Sequence, residues 1–233
     1  MSAPSTKWPK PFPELTEEQL AIREDFMKYW HEVYPDTYGA VAKWSHTYPL
    51  KSARPAIRTL EIGAGLGEHL AYEDAATQDY VALELRDEMA AVIREKHPAA
   101  STHVGDVEAG LDVPDAAFDR AIALHVLEHL RNLPAALDEV RRVLRPGGIF
   151  EIVIPCEGGL GYSLGRRVTS RRMFEKRYDS DFDWYIKSEH VNVPSEILDE
   201  LDARFTRDRR SWWPLKVPSV NLNLCLGLTY RRP

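Results

Sequence analysis

The chain has 233 residues, 44% of them hydrophobic, with 36 acidic against 30 basic side chains and a formal net charge of −6. That length and apolar content suit one globular fold with a substantial core, and the acidic balance argues against broad nucleic-acid binding, which relies on basic surface. No apolar run reaches bilayer-spanning length, the first ten residues lack a signal-peptide core, and Cys156 and Cys225 have neither metal-site nor disulfide-framework spacing, so a cytoplasmic protein without membrane contact is expected.

The first dozen residues, rich in Pro, Ser and Lys, read as a loose tail. Thr16-Glu17-Glu18-Gln19 has the form of a capping box and opens a helix to about residue 34, with Leu20, Phe26, Tyr29, Trp30 and Val33 on its apolar side. Aromatic residues continue through Tyr34, Tyr38, Trp44 and Tyr48. They fit either a helix packed on a sheet or a cap over a ligand.

Residues 57–62 form an apolar strand that runs straight into Gly63-Ala64-Gly65-Leu66-Gly67. Glycines there let the backbone turn sharply and leave no side chain between it and a ligand. The dinucleotide fingerprint G-x-G-x-x-G differs in having its third glycine one residue later. An acid, Glu61, stands two residues before the first glycine. Residues 80–85 read as a second strand, with Glu84 at its C-terminal end, seventeen residues after Gly67. A carboxylate there can accept two hydrogen bonds from the hydroxyls of a ribose lying across the glycine turn. Asp87 looks like the N-cap of a helix through Met89, Val92 and Ile93. A third strand over 102–107 contains Gly105-Asp106, and a fourth over 118–124 leads into His125-Val126-Leu127-Glu128-His129-Leu130. Leu133, Leu137, Val140 and Leu144 keep helical spacing, and residues 144–148 read as a turn into a fifth buried strand over 149–154.

Strands alternating with helices argue for parallel βαβ units. Ligands bind such sheets beyond the carboxyl ends of the strands, where the glycines, Glu84, Asp106 and His125 all fall. Residues 155–192 begin with Gly158, Gly159, Gly161 and Gly165 and turn basic at Arg166, Arg167, Arg171, Arg172, Lys176 and Arg177, followed by Asp179, Asp181 and Asp183. Ion pairs between these arginines and aspartates are the favoured reading, and recruitment of an anionic substrate by paired arginines is the alternative. A helix starts at Pro194, and strands are expected over 205–213 and 222–228, the second alternating Leu222, Leu224, Leu226 and Leu228 against Asn221, Asn223, Cys225 and Gly227.

With Glu61 and its glycine turn, Glu84, Gly105-Asp106 and Leu127-Glu128-His129-Leu130 in this order, residues 55–155 resemble the class I S-adenosylmethionine-dependent methyltransferases. The likeness is greatest to the type 11 small-molecule enzymes, such as those of quinone biosynthesis. The resemblance implies an α/β, Rossmann-like, doubly wound seven-stranded sheet, mostly parallel with one antiparallel strand and helices on both faces. It divides the chain into a tail and helical cap over 1–50 and a catalytic domain over 51–233 with a substrate lid at about 156–192. It implies S-adenosyl-L-methionine as cofactor, held by Glu61, Gly63, Ala64, Gly65, Gly67, Glu84, Leu85, Asp106, Val107, Leu124 and His125. Asp106 would accept the adenine amino group, and Val107 would donate its backbone N–H to the ring.

Methyl transfer from a sulfonium needs alignment of acceptor, methyl and sulfur, and a protonated acceptor must lose its proton. Histidine suits that near neutrality. His125 at the end of strand four and His190 at the lid junction are the base candidates, with a hydroxyl such as that of Tyr38 as an alternative and His129 read as structural. The Asn/Asp-Pro-Pro motif of amine methylases on nucleic-acid bases is absent after strand four, Cys156 lacks a second motif cysteine for a cytosine-C5 mechanism, and no acids near strand four suggest a metal. The expectation is therefore metal-independent O- or N-methylation of a small metabolite, anionic or sugar-like, with no nucleic-acid partner and the oligomeric state open. A non-catalytic cofactor-binding subunit is the alternative function, and a NAD-dependent oxidoreductase is disfavoured by the early third glycine.

Overall fold

The computed structural model describes residues 7–55 and 57–233, with the side chains of 31–38 left out. The Val33, Tyr34 and Tyr38 side chains therefore lie outside the described residues. Seven strands, β1 (Arg58–Ile62), β2 (Asp79–Glu84), β3 (Ser101–Val104), β4 (Phe118–Leu124), β5 (Leu144–Pro155), β6 (Thr206–Trp213) and β7 (Cys225–Arg231), form one sheet in the order β3-β2-β1-β4-β5-β7-β6. The pairs among β1 to β5 are parallel, and β7 runs antiparallel to both β5 and β6. The expected sheet, with its single antiparallel strand, is the observed one.

Helices α2 (Asp87–Lys96), α3 (Leu133–Val143) and α7 (Pro194–Arg204) follow their strands. α3 and α7 cover one face, where Leu137, Val140, Ile197 and Leu201 pack on Leu60, Ile62, Ala121, Ile152 and Leu228. On the other face Ile93 of α2 packs on Tyr80, Ala82 and Ile122. Each strand sends alternate side chains to the two faces. β7 is buried on both faces from Cys225 to Tyr230 and starts three residues later than expected, since Leu222 lies in a 3-10 turn.

Helix α1 (Glu17–Thr47) begins as the sequence suggests. Thr16 Oγ1 accepts from the Gln19 N–H at 3.2 Å, and Gln19 Oε1 from the Thr16 N–H at 3.0 Å. It continues well past residue 34, because Trp44 and Tyr48 at its far end pack against β5 and β7. Its near half packs on α5 (Ser170–Tyr178) and α6 (Phe182–Glu189), which follow α4 (Leu160–Val168), with Phe26 meeting Phe174 edge-on at 5.0 Å and Tyr185 at 5.1 Å. Two local readings change. Asp87 is the first helical residue after Arg86 rather than the cap. The 144–148 turn is a bulge inside β5, with pairing jumping from Phe118↔Leu144 to Arg120↔Ile149 and Gly147 at φ +75°. None of the described helices is long and apolar enough to cross a membrane.

Candidate active site

The turn after β1 is built for a close approach. Gly63, Gly65 and Gly67 have φ of +66°, +61° and +81°. A Cβ on Gly63 would stand 2.7 Å from Val126 Cγ2, and one on Gly67 2.8 Å from His97 Cδ2, so a side chain at either position meets both strain and a clash. Ala64 N–H donates to the Leu83 carbonyl at 3.0 Å and ties the turn to β2. Glu84, 6% exposed, accepts from the Gly65 N–H at 2.9 Å through Oε2 and from the Arg86 N–H at 3.1 Å through Oε1. These two bonds fix the carboxylate plane beside the glycine turn, and each oxygen keeps a lone pair for a diol. Leu85, next in the chain, is 62% exposed, an apolar surface of the kind a purine ring would cover. Asp106 accepts from the Glu108 N–H at 2.8 Å, and Val107 is buried in the core. The donors, the acids and the apolar shelf fit an adenosyl group.

Glu61 lies deeper than Glu84 and Asp106. Its side chain points to the α2 face, 3% exposed, and accepts from the Tyr80 hydroxyl at 2.9 Å. Burial pushes its carboxyl up to about 7, against attraction from His69. It lies beneath the glycine turn, bonded to Tyr80 on that sheet face.

At the end of β4, Leu124 packs between the two sheet-face clusters that Ile122 and Val153 anchor. His125 has a left-handed backbone, φ +56°, while its N–H continues the ladder to the Val153 carbonyl at 2.8 Å. Such a conformation is uncommon outside glycine and marks sites where geometry is imposed. Its imidazole lies between Ser45 of α1, Oγ to Nε2 at 3.0 Å, and Glu128, Oε1 to Nδ1 at 3.6 Å. His190 reaches the same place from the end of α6 because Val191 and Asn192 are stitched to the 127–130 turn. Asn192, wholly buried, donates to the carbonyls of Leu127 and Leu130 at 2.7 and 2.6 Å, and both backbone N–H groups bond the Glu128 carbonyl. His129 and His190 then meet edge-on with ring centroids 4.9 Å apart. The two base candidates thus share one cluster. Ser45, Glu157 and Glu189 also belong to it, and no local pattern in the sequence picks them out.

Of the basic run, Arg171 forms the expected pairs with Asp181 and Asp183, while Arg166 and Arg177 pair with acids outside that run of aspartates. Arg171 binds Glu175, Asp181 and Asp183 at 2.7 to 3.0 Å, Arg166 binds Glu157 at 2.6 Å, and Arg177 binds Asp25 of α1 at 3.0 Å.

Residues 60–152 match the family described as a methyltransferase domain. Within this chain, residues 60–152 are thus similar to the S-adenosylmethionine-dependent methyltransferases. S-adenosylmethionine is the cofactor that goes with them. Over 111 residues the chain is 32% identical to a malonyl-[acyl-carrier protein] O-methyltransferase of Pectobacterium atrosepticum, covering 48% of this chain and 44% of the relative. Over 103 residues it is 41% identical to a 23S rRNA (guanine(748)-N(1))-methyltransferase of Streptomyces fradiae, covering 43% and 34%. The chain thus spans less than half the length of these relatives. The fold matches that of the N-methyltransferase NodS of Bradyrhizobium japonicum, crystallised with S-adenosyl-L-homocysteine, with a TM-score of 0.59 at 16% identity over 84% of this chain and 88% of that one. The methyltransferase domain holds the glycine turn, Glu84, Asp106 and His125, while Ser45, Glu157, Glu189 and His190 lie outside the matched residues.

Proposed function

We propose that the chain transfers the methyl group of S-adenosylmethionine to an oxygen or nitrogen of a small polar acceptor. The observation that carries this reading is the alignment, along the carboxyl ends of neighbouring strands, of a bonded carboxylate (Glu84), a glycine turn without side chains and an imidazole (His125). Bound there, S-adenosylmethionine would supply an already activated methyl. The chain then has to orient the acceptor and remove its proton. Alignment can supply roughly 7–11 kcal/mol. His125 is the base in this reading. Glu128 holds its Nδ1 side, and Nε2, which faces Ser45 Oγ at 3.0 Å, takes the proton once an acceptor displaces that contact. A small-molecule acceptor is supported by the net charge of −6 and by the ion pairs of Arg166, Arg171 and Arg177. A groove on the lid lined by Arg167 and Arg172, which form no ion pair among the described residues, suits an anionic or sugar-like group.

Calorimetry with S-adenosylmethionine, S-adenosylhomocysteine and NAD tests the cofactor assignment. The first two bind, NAD does not, and Glu84→Ala weakens both by at least tenfold. Unchanged affinity in that variant removes the ribose role. His125→Ala should lose turnover while keeping cofactor affinity, and retained turnover rejects the base assignment.

A further inference from the structure

A buried carboxylate faces imidazoles in the turn after β4 with too few protons to satisfy it. Glu128 is 1% exposed. Its Oε1 stands 3.6 Å from His125 Nδ1, while Oε2 is buried without any hydrogen-bond partner. A buried carboxylate oxygen left unpaired costs free energy, so the arrangement calls for a cation at that position. Two imidazoles converge on the same carboxylate. One oxygen of Glu128 and one ring nitrogen each of His129 and His190 lie within 4.8 Å of one another.

The outer partners of the two histidines narrow the choice between a proton and a metal. His190 Nδ1 is 2.8 Å from Glu157 Oε2, and His129 Nδ1 is 3.6 Å from Glu189 Oε2. Both carboxylates are themselves fixed, Glu157 by Arg166 at 2.6 Å and Glu189 by Arg23 of α1. A carboxylate on Nδ1 sets the tautomer with the proton on that nitrogen. It leaves Nε2 with a free lone pair and raises its basicity, the usual outer shell of a histidine metal ligand. Two such histidines from separate elements beside one unpaired carboxylate is more than an ion pair needs. Arg166 and Arg23 already balance Glu157 and Glu189, and Glu128, whose Oε1 faces His125, keeps its buried Oε2 without a hydrogen-bond partner.

We propose that Glu128, His129 and His190 bind one divalent transition-metal ion of the Zn²⁺ class. Two imidazoles and a carboxylate suit Zn²⁺ and its relatives better than Mg²⁺ or Ca²⁺, which prefer all-oxygen sets. Zn–ligand bonds of about 2.0–2.2 Å put tetrahedral donors roughly 3.3–3.5 Å apart, so the ligands close by a small side-chain rotation on binding. Three protein ligands leave a fourth position for water. The His129 side chain is 38% exposed and that of His190 15%, which gives the ion a route in above the buried Glu128. Neither the acids near strand four nor the cysteine spacing points to this set in the sequence, because His190 joins it from the C-terminal end of α6.

The site is tested by metal binding, with no turnover needed, so its outcome is separate from that of the methyl-transfer reading. The chelator-treated full chain is titrated with Zn²⁺ by calorimetry and with Co²⁺ by visible absorption. The expected result is one ion per chain, with the intense d–d bands of four-coordinate Co²⁺ and no sulfur charge-transfer band. His190→Ala and Glu128→Gln should each weaken binding by at least tenfold, and Glu157→Gln by roughly 10–100-fold through the outer shell. Should Glu128→Gln not fold, His190→Ala and Glu157→Gln, both at partly exposed positions, carry the comparison. Absence of stoichiometric binding, binding unchanged in folded His190→Ala, or a thiolate band from Cys156 or Cys225 would each overturn the proposal.

Discussion

The two faces of the sheet are made of different chemistry. Toward α3 and α7 the strands present Leu60, Ile62, Val81, Leu83, Ala121, Ala123, Phe150, Ile152, Ile154, Leu226 and Leu228, all apolar and buried. Toward α1 and α2 the same strands present Thr59, Glu61, Arg120, Glu151 and Thr229 among their apolar residues, and these are equally buried. On that second face Arg120 bonds Glu73 at 2.7 Å and the Pro49 carbonyl at 2.8 Å, His69 and Gln78 bond the same Glu73 at 3.1 and 2.8 Å, and Thr229 bonds Glu151 at 2.7 Å. The first face is held by area removed from water, which is tolerant of detail. The second is held by pairing, in which each member depends on its partner. The difference also places rigidity: the polar face lies under α1, the helix that brings Ser45 to His125.

The largest effect should come from breaking the central pair. Arg120→Met leaves Glu73 buried with His69 and Gln78 alone, and should cost about 3–5 kcal/mol of unfolding free energy in urea. Adding Glu73→Gln should return part of it. Burial raises the Glu73 carboxyl, but bonds from His69 and Arg120 outweigh that and hold it at about 2. A depressed carboxyl contributes stability that is complete above its unfolded value of about 4.5 and lost as pH falls toward 2. Wild type should therefore lose stability across that window, and the double variant should lose less. A cost under about 1 kcal/mol for Arg120→Met would mean that the pair is no more than solvated decoration. On the apolar face Leu137→Ala, at a wholly buried position, should cost about 2–4 kcal/mol from lost transfer energy and a cavity. That cost should be the same at pH 5 and pH 8, and a pH-dependent loss would erase the distinction between the faces.

Most of the sheet is legible in the sequence because parallel strands buried on both faces read as short apolar runs, and the glycine turn, Glu84 and Asp106 are local patterns at strand ends. What stays hidden is set by distant contacts. Arg120 and Glu61 interrupt apolar runs, and nothing nearby in the chain names Glu73 or Tyr80 as their partners. The left-handed backbone of His125 is imposed by the ladder bond to Val153 and the contact with Ser45, 80 residues away. α1 runs past residue 34 because tertiary packing of Trp44 and Tyr48 outweighs local preference. His129 and His190 are adjacent only because Asn192 is sewn into the turn after β4. The acid before the glycines shows the limit most clearly. Strand alternation turns Glu61 to the polar face, where it meets Tyr80, a partner its sequence neighbours do not name.

Glu61 also offers the smallest and sharpest test. Burial raises its carboxyl from 4.5 to about 7, so between those values the folded chain binds a proton that the unfolded chain has released. Stability must then fall as pH rises from about 5 to 8, opposite in sign to the Glu73 contribution and at higher pH. The raised value corresponds to about 3–4 kcal/mol at most. Glu61→Gln keeps an acceptor for the Tyr80 hydroxyl and carries no charge at any pH. It should match wild type within about 0.5 kcal/mol at pH 5 and exceed it by about 1–2 kcal/mol at pH 8.5. Urea titrations at the two values decide it. If the variant gains nothing at the higher pH, the ionised acid is better solvated on that face than its burial implies, and the glycine turn rests on a charge that the polar face can hold.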